Sequence, residues 1–260
     1  MKFIDVHCHL DGGHYGDLSA LLTKIKAAGV EKVIAVGFDL NSSEFCENLA
    51  GRHNMCYFTA GFHPTELKNY RDGDLEKIKE LARGEKCVAI GEIGLDYHYP
   101  DTDKRLQRRI FAEQLLLADK LGLPVQIHSR DCAEDMVSVL SEYSACLKNG
   151  ALLHCYSHSP EIAKELEKLG IYFSFGGTST YSGSKRARKS IAAISFERIL
   201  SETDSPYLPP RSITGQFPNT PASIPEITAN IADIKGVSVE FAAEQIWENA
   251  HRLFKKLGNA

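Results

Sequence analysis

Eight short apolar runs punctuate the chain, at about residues 3–6, 32–37, 56–61, 87–91, 124–127, 151–153, 171–175 and 198–201. Runs of this length, rich in β-branched and aromatic residues, predict buried strands. Between them lie amphipathic stretches at 17–28, 74–82, 105–121, 133–147 and 160–169. In the third of these, Leu106, Ile110, Leu115, Leu117 and Leu121 stand among charged neighbours at roughly the helical period. Gly29 before Val30 and Gly170 before Ile171 read as helix C-caps leading into strands. Strict strand–helix alternation predicts a parallel sheet with helical crossovers. Eight such units in 260 residues predict an α/β fold, a single (β/α)8 barrel of the TIM type over 1–260. Two helices near 223–234 and 239–257 are expected to close it. Segments 176–189 and 206–225, with their Gly, Ser, Thr and Pro, break the rhythm and read as long loops.

Six of the runs end in a His or a carboxylate. Phe3-Ile4-Asp5-Val6 leads to His7-Cys8-His9, and Phe58-Thr59-Ala60-Gly61-Phe62 to His63. Val88-Ala89-Ile90-Gly91 leads to Glu92, Val125-Gln126-Ile127 to His128, Ala151-Leu152-Leu153 to His154, and Ile199-Leu200-Ser201 to Glu202-Thr203-Asp204. Residues just past parallel strands gather on the C-terminal rim of a barrel, where such folds keep their sites. His7 and His9 are two apart on a strand, so both imidazoles point the same way. Gly91 and Gly94 are small enough to let Glu92 approach a crowded centre.

Four imidazoles (His7, His9, His128, His154) and two carboxylates (Glu92, Asp204) exceed the four ligands of a closed zinc site. They suit a two-metal centre with open positions, the cations being about 3.5–4 Å apart. The N/O donors fit Zn²⁺, Mn²⁺ or Mg²⁺. Asp204 also suits a base that takes a proton from bound water. His63 stands on the rim either as a group that holds or protonates a substrate oxygen or as a turn residue fixed by Pro64. Arg130 suits a phosphate or carboxylate, or an ion pair with a neighbouring loop or helix. Lys185, Arg186, Arg188 and Lys189 form a basic patch that is either a phosphate contact or a solvated helix start.

Composition narrows the setting. A chain 43% hydrophobic and 25% charged is neither disordered nor fibrous. No apolar stretch is long enough to span a bilayer, and a chain that enters a strand at Lys2-Phe3-Ile4 offers no signal-peptide h-region, so none is expected. Seven cysteines without paired spacing read as reduced thiols in the cytoplasm. A net charge of −4 leaves any contact with nucleic acid to bound cations or a local basic patch. No membrane contact and no stable protein partner are expected.

In order, Asp5-Val6-His7-Cys8-His9-Leu10-Asp11, Gly61-Phe62-His63-Pro64, Gly91-Glu92-Ile93-Gly94-Leu95-Asp96-Tyr97, His128-Ser129-Arg130-Asp131, His154-Cys155-Tyr156 and Glu202-Thr203-Asp204-Ser205-Pro206-Tyr207 resemble the TatD family of metal-dependent deoxyribonucleases. The likeness runs on to Asn249-Ala250-His251-Arg252-Leu253-Phe254. The resemblance implies a β/α barrel in which His7, His9 and Asp204 hold one metal and His128 and His154 the second. Glu92 would bridge them and His63 would face substrate. It implies Mg²⁺-dependent hydrolysis of DNA, including 3′ exonuclease action, with DNA strands or ends as substrate. The chain departs from the family pattern at Tyr156-Ser157-His158, and at Arg211, which is displaced from Gly215 in the loop before Asn219-Thr220-Pro221. Both segments, Arg211 included, are expected to touch substrate. Two other readings are hydrolysis of a carboxylic ester or amide, for example of an aminoacyl-tRNA, and a non-catalytic binding barrel. Glu92 stands where amidohydrolase barrels often carry a modified Lys, which counts against the amide subclass.

Overall fold

The computed structural model describes residues 1–10 and 13–258, so Asp11 of the first motif lies outside the described residues. Eight strands, β1 (Phe3–Cys8), β2 (Val30–Val36), β3 (Cys56–Ala60), β4 (Cys87–Asp96), β5 (Val125–Arg130), β6 (Ala151–Leu153), β7 (Tyr172–Phe175) and β8 (Ile199–Ser201), lie side by side in chain order. Each neighbouring pair is parallel. The seam between β8 and β1 is joined by the Asp204 N–H to His7 O at 3.0 Å and the His9 N–H to Ser205 O at 2.7 Å. Buried Asp5 spans the same seam, accepting from the Thr203 N–H at 3.0 Å and the Thr203 hydroxyl at 2.5 Å. This is the nearly closed barrel that the strand–helix alternation predicts.

Helices α1 (Leu18–Ala27), α2 (Leu40–Arg52), α3 (Asp74–Ala82), α4 (Lys104–Leu121), α5 (Ala133–Glu142), α6 (Pro160–Glu167) and α7 (Lys185–Ala193) fall between the strands. Side-chain caps start several: Asp17 accepts from the Ser19 and Ala20 N–H groups, and Asp103 from that of Leu106. Gly122 ends α4 in the left-handed conformation that favours glycine. After β8 come α8 (Ile224–Lys235) and α9 (Val239–Leu253). The Asn249 side chain ties α9 to the entry of β8, donating to Phe196 O at 2.7 Å and Ile199 O at 2.9 Å. That gives the closing motif a structural reason.

The structure corrects several boundaries. β1, β4 and β5 run on past the apolar pattern, so His7, Glu92 and His128 lie within strands rather than just beyond them. Every residue of β4 is buried, polar ones included, so polarity does not mark where that strand ends. The predicted helix 133–147 stops at Glu142 and continues as a 3₁₀ turn, Ser144–Asn149. Likewise 239–257 divides into α9 and a 3₁₀ turn, Lys255–Leu257. Helix α2 goes unforeseen because its buried face carries Ser42, Ser43 and Cys46 beside Leu49 and Ala50, which leaves no clear apolar stripe. The close approach explains the serines: a Cβ on Gly37 would lie 2.4 Å from Ser43 Oγ. The loop expected at 176–189 includes a 3₁₀ turn, Gly177–Thr180, and the start of α7.

β4 and β5 meet most closely beside the site. Gly94 has φ +140°, and a Cβ there would lie 2.1 Å from the His128 carbonyl oxygen. Gly94→Ala is therefore expected to cost about 2–5 kcal/mol, from backbone strain and overpacking together. Urea or guanidinium unfolding reads this directly, and a wild-type midpoint would contradict the packing described.

Candidate metal centre

Five strands and the turn after β8 deliver the site. β1 carries His7 into it with His9 one residue beyond, β4 carries Glu92, β5 carries His128, and His154 follows β6. Asp204 follows β8 with φ +51°, its backbone held by His7 O. His63 follows β3, its N–H donating to Phe38 O at 2.8 Å. All six sequence-predicted ligands and His63 are brought together, and five of them with His63 line one cavity of about 270 Å³; the exception, His7, is fully buried beneath it.

Glu92 is the centre. Its Oε1 lies 2.9 Å from His154 Nε2, 3.0 Å from His128 Nδ1 and 3.4 Å from His63 Nε2. Its Oε2 lies 3.6 Å from His7 Nε2 and 3.7 Å from His9 Nε2. Asp204 Oδ1 joins the second group, 3.6 Å from His7 Nε2 and 3.4 Å from His9 Nε2. One carboxylate thus faces two clusters of nitrogen, one with each oxygen.

The imidazoles are aimed from behind. His128 Nε2 lies 3.1 Å from Asp96 Oδ2, His9 Nδ1 3.2 Å from Val36 O, and His154 Nδ1 makes an ion pair with Glu202 Oε1 at 3.5 Å. In a neutral ring an acceptor on one nitrogen keeps the proton there and leaves the other free for a cation. The opposite nitrogens, His128 Nδ1, His9 Nε2 and His154 Nε2, all face Glu92, and each would bind a cation only after giving up the proton it points at that carboxylate. His63 has the opposite arrangement. The Thr65 N–H donates to its Nδ1 at 3.2 Å, so its proton sits on Nε2, facing the cavity.

This donor set fits cations. Nitrogens held about 2.0–2.1 Å from one tetrahedral ion lie roughly 3.3 Å apart. His7 Nε2 and His9 Nε2 are 3.3 Å apart, and His128 Nδ1 and His154 Nε2 are 3.2 Å apart. His7, His9 and Asp204 form one group of ligand atoms within 4.8 Å of one another; His63, Glu92 and His128 form another. A third joins His7 and His154 to Glu202. The direct distances favour grouping His154 Nε2 with Glu92 and His128, because Glu202 lies against the other face of that ring, at Nδ1.

Protons stand in for positive charge around this carboxylate. Burial alone pushes the Glu92 carboxyl up, but His63, His154, His7 and the His128 hydrogen bond outweigh it and hold it well below the usual range. Burial lowers His154, yet Glu92 and Glu202 on its two sides raise it well above an ordinary histidine. His7, buried and beside His154, is driven well down. Asp204 resists its own burial through the His9 hydrogen bond and stays below its usual value.

Asp96, Glu202, Phe38, Tyr207, Thr65 and Glu66 were given no role from the sequence, though the last four line the cavity. Asp96 and Glu202 stand inside the quoted motifs, four and two residues from a proposed ligand respectively, which is the one signal that marks them. Arg130 and Arg211 do not line the cavity. Arg130 is exposed, its guanidinium 5.9 Å from the Tyr99 ring centre. Arg211 is exposed on a 3₁₀ turn, its N–H on Thr180 Oγ1 at 2.8 Å. In the basic patch, Arg188 pairs with Asn230 and Asp233 of α8 at 3.0 and 3.3 Å, a structural contact, while Lys185, Arg186 and Lys189 are exposed. At the departure after His154, His158 Nε2 meets Ser129 Oγ at 2.7 Å.

Comparison with known proteins adds a lineage. A family model described as TatD related DNase matches residues 4–255. A metal-dependent hydrolase of Bacillus subtilis, YabD, whose own role is uncharacterized, is 37% identical, over 96% of this chain and 98% of its own length. A protein of Klebsiella pneumoniae named 3′-5′ ssDNA/RNA exonuclease TatD is 32% identical, over 96% and 97%. The crystal structure of YjjV, a TatD homologue of Escherichia coli K12, superposes with a TM-score of 0.92 at 32% identity, covering 97% of this chain and 98% of that one.

Two predictions follow from the aiming of the rings. Asp96→Asn and Glu202→Gln should each weaken divalent-metal affinity about 10–100-fold, measured by competition with a chelating indicator. Wild-type affinity in both would contradict the assigned tautomers. Because His154 is raised, the metal-free protein holds its proton at neutral pH, and a cation must displace it. Metal affinity should therefore rise with pH through neutrality. Calorimetry in buffers of different ionisation enthalpy should register proton release; none would contradict this charge state.

Proposed function

Because the chain belongs to the TatD related DNase family and is a metal-dependent hydrolase of that type, we propose that it cleaves phosphodiester bonds at the 3′ ends of single-stranded nucleic acid, DNA foremost. The observation that carries this reading is the division of ligands between the two oxygens of Glu92. The cavity supports it by charge. Glu66, Glu92 and Asp204 line it, and no Lys or Arg does among the described residues. A phosphodiester anion would therefore draw its counter-charge from bound cations rather than from the chain.

His7, His9 and Asp204 would hold one divalent ion, His128 and His154 the other, with Glu92 between them. Mg²⁺, Mn²⁺ or Zn²⁺ suits the donors, and the imidazole share leans towards Mn²⁺ or Zn²⁺. When bound, such ions supply Lewis acidity for a phosphoryl oxygen and acidify a water molecule. Asp204, ionised at neutral pH, takes the proton of that water. His63 offers its Nε2–H to the leaving oxygen, its Nδ1 being engaged by Thr65. Phe38 and Tyr207 wall the cavity and limit water. Seven cysteines without paired spacing support a reducing, cytoplasmic setting. Among the described residues no helix is long and apolar enough to cross a membrane.

Release of nucleotides from 3′-labelled single strands is the test. It should require metal and stop with chelator. Glu92→Gln should reduce it by more than the roughly 10–100-fold that outer partners of a metal site command. Cleavage of ester or amide substrates without any phosphodiester cleavage would overturn the reading.

A further inference from the structure

The cavity is small for a ligand pocket, at about 270 Å³ against the roughly 300–1,000 Å³ usual for such sites. It is too small to enclose a strand of several nucleotides, so the bases upstream of the reacting end lie outside it. What lies outside is aromatic. Tyr207 forms part of the cavity wall, its ring centre 6.4 Å from that of His9. Phe217 lies 6.3 Å beyond it, with the planes 41° apart. His14 meets Phe217 at 5.2 Å and Tyr207 at 6.1 Å, edge-on to both.

Tyr207 is 50% exposed and Phe217 60% exposed. Large apolar side chains this exposed are few among the described residues, and these two are neighbours. Phe217 sits in the long 206–225 loop, in the segment where the chain departs from its family pattern. Exposed rings clustered at the mouth of a polar cavity are the kind of surface that marks a binding site.

We propose that His14, Tyr207 and Phe217 form a stacking platform for the unpaired bases of a single strand whose 3′ end occupies the metal cavity. The occupant follows from continuity: the platform begins on a wall of the cavity itself, so whatever is cleaved there must cross it. Every base has a π-face, so rings recognise a single strand without reading its sequence. A paired duplex keeps its bases stacked inside and offers none to the platform. This inference rests on the nucleic-acid reading of the site and adds the side chains that hold the unpaired bases.

The test is binding, by fluorescence anisotropy, with Mn²⁺ present and phosphorothioate linkages preventing cleavage. The probes are a 5′-labelled oligothymidylate and the same strand with abasic residues at its last positions before the 3′ end. The wild-type protein should bind the base-bearing strand about tenfold more tightly than the abasic one, within the range of base–aromatic stacking. Phe217→Ala should lose most of that difference, and Phe217→Trp should keep it. Phe241→Ala, at an exposed ring on α9 away from the mouth, should change nothing. Equal binding of both strands by the wild type, or an undiminished preference in Phe217→Ala, would overturn the platform and leave the nucleic-acid reading standing. No binding of either strand would overturn that reading, and the platform with it.

Discussion

A carboxylate buried at the mouth of a barrel governs this molecule. Removing an ion like that of Glu92 from water costs several kcal/mol, roughly, unless its surroundings repay it. The protein surrounds it with imidazoles on both oxygens. Those rings would compensate poorly if free to turn, so each of three is fixed from behind by Asp96, Glu202 or the Val36 carbonyl. The cost of burying one charge thus propagates outward into a second ring of polar residues.

The same constraint shapes the backbone. Space for Glu92 exists because β4 passes close to β5, and the closeness requires glycine: a Cβ on Gly91 would lie 2.6 Å from Gln126, and one on Gly94 nearer still to His128. Asp204 reaches the centre because the turn after β8 is held on one side by His7 O and on the other by Asp5 through Thr203. The barrel seam and the site are therefore one structure. Beyond it the chemistry changes character, from buried charge within the cavity to exposed aromatic rings at its mouth.

Much of this was legible in the sequence for a definite reason. A barrel strand begins as a short apolar run and heads for the site, so six of the eight runs advertise both themselves and the residue they lead to. His7, His9, Glu92, His128, His154 and Asp204 all stand out in this way. Asp96 and Glu202 do not, because a carboxylate that orients another residue has the same local pattern as one on the surface. Helix α2 was hidden because it packs through serines against Gly37. Arg130, suited to a phosphate or to an ion pair, ends β5 beside Tyr99, and Arg211 sits on an exposed turn; neither lines the cavity. Turn and loop residues such as Arg211 and Phe217 carry no periodicity from which a direction can be read, and only the fold reveals their neighbours.

On the function proposed here, the two oxygens of Glu92 would serve two different cations. Anomalous diffraction from crystals soaked in Mn²⁺ tests it most directly. Two peaks are expected about 3.5–4 Å apart, one by His7, His9 and Asp204 and the other by His128 and His154, with Glu92 between them. A single peak at saturating metal, or two peaks of which Glu92 touches only one, would contradict it.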